Sequence, residues 1–162
     1  MGSKAAVLVS VAAMCALAAG VAPAGAKTCP YPGTVNGISV LIYCGSAKAT
    51  TTFGAKTATW KSGQCKKVGT NFYVNFGDIV TQPVKKAPDS FQIIAGTSAK
   101  PATKDGTYPG TTVMMSKSGK SYLGGNTLTL KLTHATRAGT VTGTIEPTST
   151  NGKLTFHASF TC

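Results

Sequence analysis

The chain has 162 residues, with sixteen Lys and Arg against four Asp and Glu, a formal charge of +12, and two histidines. Four scattered carboxylates and two imidazoles leave little material for paired acid–base catalysis or a metal centre. All the basic residues but Arg137 are lysines, which argues against a reader of nucleic-acid bases, because bidentate base contacts lean on Arg.

The start reads as an export signal. Lys4 supplies a positive end, Ala5 to Val21 is apolar and uncharged, and Ala24 and Ala26 form a small-x-small exit after Pro23. That arrangement is a secretory signal peptide. The apolar run approaches membrane-spanning length, but it is Ala-rich, is broken by Pro23 and leads straight into the exit. The expected boundaries are a signal at residues 1–26, cut after Ala26, and a single secreted domain at residues 27–162. Neither Cys15 nor Cys29 has the small-residue triplet of a lipid-acylated cysteine. No transmembrane segment is expected after cleavage.

Strand signals follow in order, and no stretch has helical periodicity. Ile38 to Tyr43 is a near-continuous apolar run, as expected of a strand covered on both faces. Lys48 to Phe53 and Lys56 to Lys61 flank Gly54-Ala55 as a hairpin carrying Trp60. In Asn71 to Phe76, the residues Phe72, Val74 and Phe76 share one face. Thr81 to Pro88 reads as irregular, Ser90 to Ala95 as a strand, and Thr97 to Gly110 as irregular again. Thr111 to Ser116 and Lys120 to Leu123 flank a turn at Lys117-Ser118-Gly119. Asn126 to Thr133 alternates strictly, with Leu128, Leu130 and Leu132 inward. In Thr140 to Glu146, Gly143 lies between Val141 and Ile145, where a neighbouring side chain is expected to pack closely. Asn151-Gly152 is a turn before the last strand, Lys153 to Cys162. Short strands at this spacing predict an all-β, mostly antiparallel β-sandwich or flattened barrel.

Removing Cys15 leaves Cys29, Cys44, Cys65 and Cys162, an even count that predicts two disulfides in an exported chain. Spacing alone permits three connectivities. Cys162 continues the phase of Leu154, Phe156 and Phe160, so its sulfur is expected to point inward. The preferred pairing is Cys29–Cys44 and Cys65–Cys162.

Candidate chemistry is sparse. His157 is expected to face outward and His134 to continue the inward phase of its strand, and no Gly-x-Ser-x-Gly elbow supports a serine triad. Asp105-Gly106 reads as a turn. Trp60, Tyr73, Tyr108 and Tyr122 form a conceivable aromatic platform, although a core Trp with tyrosines at strand edges is the preferred reading. Threonine runs such as Thr50 to Thr52 and Thr127, Thr129 and Thr133 are explained by β-propensity on a solvated face. The adjacent pairs Lys66-Lys67 and Lys85-Lys86 are the candidate anion contacts.

Two segments, Gly63 to Gly77 (GQCKKVGTNFYVNFG) and Lys153 to Cys162 (KLTFHASFTC), resemble the small secreted and lipoprotein antigens of mycobacteria and related actinobacteria. The resemblance covers 25 residues, under a fifth of residues 27–162. It implies a joined Cys65 and Cys162 but no catalytic residues. The chain lacks the acylation cysteine of that family and carries the additional pair Cys29 and Cys44, so membrane anchoring is not implied.

The expectation is an exported, non-enzymatic binding or structural module, without cofactor or metal, secreted or cell-wall associated. Its expected partners are anionic cell-wall or surface polymers or another envelope protein, not nucleic acid. A Lys-rich electrostatic binder of such polymers is the alternative. A secreted enzyme or protease inhibitor using the loops Thr81 to Pro88 or Thr97 to Gly110 ranks lower.

Overall fold

A computed structural model describes residues 29–81 and 84–162. The signal sequence and its cleavage site lie outside the described residues. Alternating apolar side chains need a shared interior, and twelve antiparallel strands supply it: β1 (Tyr31–Val35), β2 (Ile38–Ile42), β3 (Ala47–Phe53), β4 (Lys56–Val68), β5 (Asn71–Val80), β6 (Ser90–Ala95), β7 (Gly106–Pro109), β8 (Thr112–Lys117), β9 (Lys120–Gly124), β10 (Thr129–Thr133), β11 (Ala138–Pro147) and β12 (Leu154–Thr161).

Pairing runs β3–β4–β5–β6–β8–β9–β11–β12 and returns to β3, so eight strands close into a barrel. Between the sandwich and the flattened barrel that the sequence left open, closure decides for a barrel. Two long strands turn the corners. The first part of β4 pairs with β3 and the last with β5; β11 pairs along most of its length with β12 and by its end with β9. In β4 the corner is a bulge: Trp60 faces Ala49 but Gly63 faces Ala47, and Ser62 takes a φ of 60°. The extra residue bends the strand, and a side chain at Gly63 would collide with the Phe76 ring. The corner in β11 is Gly143, where a Cβ would strike the Thr127 carbonyl. The close neighbour expected at Gly143 is thus chiefly backbone.

The interior of an eight-stranded barrel is just wide enough for side chains to fill. Here Trp60, Phe72, Phe76, Phe91, Val113, Met115, Tyr122, Ile145, Phe156 and Phe160 are buried in one cluster. Phe91 is its hub, with its ring centroid 5.6 Å from Trp60, 6.0 Å from Phe76 and 6.2 Å from Phe156. The buried Thr51 hydroxyl accepts from Trp60 Nε1 at 3.0 Å. Among the described residues no buried side-chain nitrogen or oxygen lacks a partner.

Several expectations change. Tyr108 and Tyr122 are core residues and not strand-edge tyrosines. The interval Thr97 to Gly110 contains β7, which pairs with β10 and sets Tyr108 opposite Leu130. β1 was not expected either, although Asn36-Gly37, both at positive φ, is the turn signal that joins it to β2. Of the run Ile38 to Tyr43, only Val40 is fully buried; β2 extends the sheet beyond the closed barrel. The hairpin instead docks on the end of β5, Val40 opposite Val80 and Ile42 opposite Asp78.

His134 does not follow its strand inward. β10 ends at Thr133, and His134, Ala135 and Thr136 take φ of 56°, 56° and 66°. Left-handed conformation costs roughly 1–2 kcal/mol per non-glycine residue. The Asp105 carboxylate offsets part of this by accepting from the amides of Ala135 (3.1 Å) and Thr136 (2.7 Å). Asp105 therefore caps a distant turn besides leading into Gly106.

At the opposite end, Asp89 pairs with Lys117 and accepts from the Ser118 amide at 2.7 Å, which anchors the β8–β9 turn to the loop before β6. Burial alone would raise the Asp89 carboxyl; the bonds from Lys117 and Ser118 and the Lys117 charge outweigh it and hold the group below its ordinary value. A carboxylate depressed in the folded state adds stability above its unfolded pKa and loses it as pH falls through the folded one. Asp89→Asn is thus expected to be destabilised at pH 7 by no more than about 1 kcal/mol, the scale of a half-exposed ion pair. The gap to wild type should close as pH is lowered through the acid range. Parallel urea titrations at pH 7 and pH 2.5 measure this; an equal gap at both refutes the pairing.

Candidate functional site

Both disulfides join the expected partners. Cys29 and Cys44 are linked across 15 residues and Cys65 and Cys162 across 97. The Cys162 residue is exposed at the rim, where β12 ends at Thr161, while its sulfur joins Cys65, which packs against the core. Two intramolecular disulfides are compatible with an extracellular or otherwise oxidising environment.

The lysine pairs do not converge. Lys66 and Lys67 sit where β4 meets the beginning of β5, whereas Lys86 lies against Gly119 in the β8–β9 turn at the other end of the barrel. Lys67 donates to the Thr103 carbonyl at 2.9 Å and ties down the loop before β7. Lys85 is exposed beside Lys86. Other lysines are likewise dispersed, Lys56 and Lys120 lining one hollow and Lys48 and Lys61 another. Such a spread weakens the case for one electrostatic face.

The four-residue aromatic platform does not form: Trp60, Tyr108 and Tyr122 are buried, and of the four only Tyr73 lies on the outside. Its neighbours line a concavity of the outer wall. Cross-strand register sets Lys66 opposite Tyr73 and Gln64 opposite Asn75. Since Cys65 and Val74 occupy the inward phase, these four side chains share the outer face. The hairpin β1–β2 supplies the remaining wall. Gly77, at φ 74°, turns β5 so that a Cβ there would meet the Asp89 carbonyl, and the Tyr43 amide then donates to the Gly77 carbonyl at 3.1 Å. The Cys29–Cys44 bridge holds Pro30 and Tyr43 together. The result is a groove of about 210 Å³ lined by Pro30, Tyr43, Gln64, Lys66, Val68, Tyr73 and Asn75.

Its polar groups are braced. Asn71 Nδ2 donates to the Tyr73 hydroxyl at 3.2 Å, Gln92 Nε2 to Asn75 Oδ1 at 2.6 Å, and Gln64 Nε2 to the Cys29 carbonyl at 3.4 Å. Burial raises the Tyr43 phenol above its ordinary value, so it keeps its proton at neutral pH. The ion pairs among the described residues, Lys117–Asp89 and Lys153–Glu146, leave Lys66 uncompensated. Sequence reasoning had marked Lys66 and Tyr73 separately and had missed Pro30, Tyr43, Gln64 and Asn75, which only the docked hairpin brings to them.

A larger concavity of about 410 Å³ lies beside β9 and β11, lined by Leu123, Asn126, Thr127, Thr144 and Glu146 among others. It has no aromatic face, and Glu146 there approaches Lys153 at 3.8 Å. His157 is exposed on β12 opposite Thr52 and Thr142, and His134 Nδ1 lies 3.1 Å from the Thr133 hydroxyl. Among the described residues no three His, Cys, Asp or Glu side chains are grouped to hold a metal ion. Among the described residues no helix is long and apolar enough to cross a membrane.

No protein-family model matches the chain, and none of the curated proteins matches it.

Proposed function

We propose that this is an exported, non-enzymatic binding module of the cell envelope or extracellular space, recognising its partner on the outer wall of a rigid barrel. The observation that carries the reading is the braced groove beside Lys66: polar groups held by the fold around an aromatic face, outside a barrel filled by its own side chains. Preorganised groups lose little freedom on binding. The leader-like start and the two disulfides support an extracellular setting. The short likeness to small actinobacterial antigens is consistent with an envelope role.

The test is retention of the disulfide-intact protein on isolated envelope fractions over a salt series. Retention on one component at physiological ionic strength is expected, persisting as salt is raised, since contacts inside a groove are screened less than exposed charges. Absence of retention would remove the binding reading, and robust turnover on ester, peptide or glycoside panels would remove the non-enzymatic one. A second reading, loose attachment to anionic polymers through the lysine excess, is favoured by the basic balance of the chain. It predicts retention that collapses with modest added salt.

A further inference from the structure

We infer that the groove under the Cys29–Cys44 hairpin takes a sugar ring carrying an anionic group, a carboxylate or a phosphate, with the ring against Tyr73 and the charge on Lys66. The inference rests on the binding-module reading and adds to it a site and a ligand class. The size comes first. A volume of about 210 Å³ suits one ring of a longer chain rather than a large cofactor, whose pockets run to about 300–1,000 Å³.

The chemistry comes next. A pyranose has a face of C–H groups and a rim of hydroxyls that both donate and accept. Pro30, the half-exposed Val68 and the ring of Tyr73 offer the apolar surface. With Gln64 Nε2 and Asn75 Oδ1 engaged in the brace, Gln64 Oε1 offers an acceptor and the Nδ2 edge of the largely buried Asn75 a donor, and the protonated Tyr43 adds a hydroxyl. An uncharged saccharide would use all of these and leave Lys66 idle. Like most of the described lysines Lys66 has no ion pair; what sets it apart is its place in the groove lining, opposite Tyr73 in register, where an anion on a ring held against Tyr73 would meet it. A single ammonium beside neutral amides does not match a polyphosphate, and the groove contains no Arg to fork a planar anion.

The experiment titrates the full exported protein, observed by amide and side-chain NMR, with trigalacturonic acid, glucose 6-phosphate, maltotriose and a short oligothymidylate. Tyr73→Ala and Lys66→Gln, both outward-facing changes, are compared after their near-UV spectra confirm an intact core. Shifts at Tyr43, Gln64, Tyr73 and Asn75 with at least one anionic sugar are expected, and the stronger of the two identifies the carboxylate or the phosphate source. Lys66→Gln should weaken anionic sugars at least fivefold and leave maltotriose unchanged, while Tyr73→Ala should weaken both. Shifts confined to other surfaces, anionic sugars bound by either variant as tightly as by wild type, or preference for the oligothymidylate would overturn the assignment. Envelope retention separates the two levels: Tyr73→Ala retained like wild type leaves a binding module with another site, whereas wild type unretained removes the module itself.

Discussion

Replacing Cys65 and Cys162 together by serine is expected to lower the unfolding free energy by about 4–5 kcal/mol, because the bridge closes a loop of 97 residues and loop closure of about that length removes that much entropy from the unfolded chain. The loop holds most of the barrel: it begins within β4 and ends just past β12, two strands that flank β3. Without it, the closing contact β12–β3 must be found against the full freedom of the chain. For a domain of this size the loss corresponds to a fall of about 15–20 °C in melting temperature, measurable by calorimetry. The Cys29→Ser, Cys44→Ser pair closes only 15 residues and is expected to cost about 3 kcal/mol or less. Its loop lies outside the closed ring, so the damage should fall on the β1–β2 hairpin and the groove. Equal melting temperatures for the two double variants would contradict the assignment of the long bridge to barrel closure.

Phe91→Ala is expected to be nearly as damaging, at about 3–5 kcal/mol. Phe91 is wholly buried, and its ring meets Trp60, Phe76 and Phe156, which come from β4, β5 and β12. Removing it therefore opens a void between both walls of the barrel, and flanking strands pinned by hydrogen bonds cannot collapse into it. Urea denaturation followed by Trp60 fluorescence and near-UV dichroism reads the effect. Phe91→Leu, which keeps most of the volume, should recover much of the loss. A loss under about 1 kcal/mol for the alanine variant would mean that Phe91 is not the hub of the core.

Strand identity was legible wherever one face is buried and the other wet. Ser90–Ala95, the Asn71 to Phe76 phase and the strand ending at Thr133 each show period-two alternation, because a half-buried strand must alternate. The Gly54-Ala55 and Ser118-Gly119 turns were legible for the same local reason. β1 and β7 were not: Tyr31–Val35 and Gly106–Pro109 are short and contain Pro and Gly, β1 has no buried residue to mark a phase, and β7 finds its partner in β10, well downstream. The triple left-handed turn at His134–Thr136 was equally hidden, since its stabilising carboxylate, Asp105, lies 30 or so residues upstream.

The groove divides along the same line. Lys66 and Tyr73 could be marked from the chain, one as part of a lysine pair and the other among four candidate platform aromatics. Their union with Tyr43 and Pro30 depends on Gly77 turning β5, on β2 docking at Asp78 to Val80, and on a bridge between Cys29 and Cys44. By itself the sequence determined an all-β class, most strand phases and a basic, lysine-dominated surface, because these follow from composition and from neighbours a few residues apart. Closure of the barrel at β12–β3, the inward place of Tyr108 and Tyr122, and the assembly of the groove were decided by tertiary structure alone. Each depends on pairings between segments tens of residues apart, and no local pattern of side chains encodes which distant strand will lie beside it.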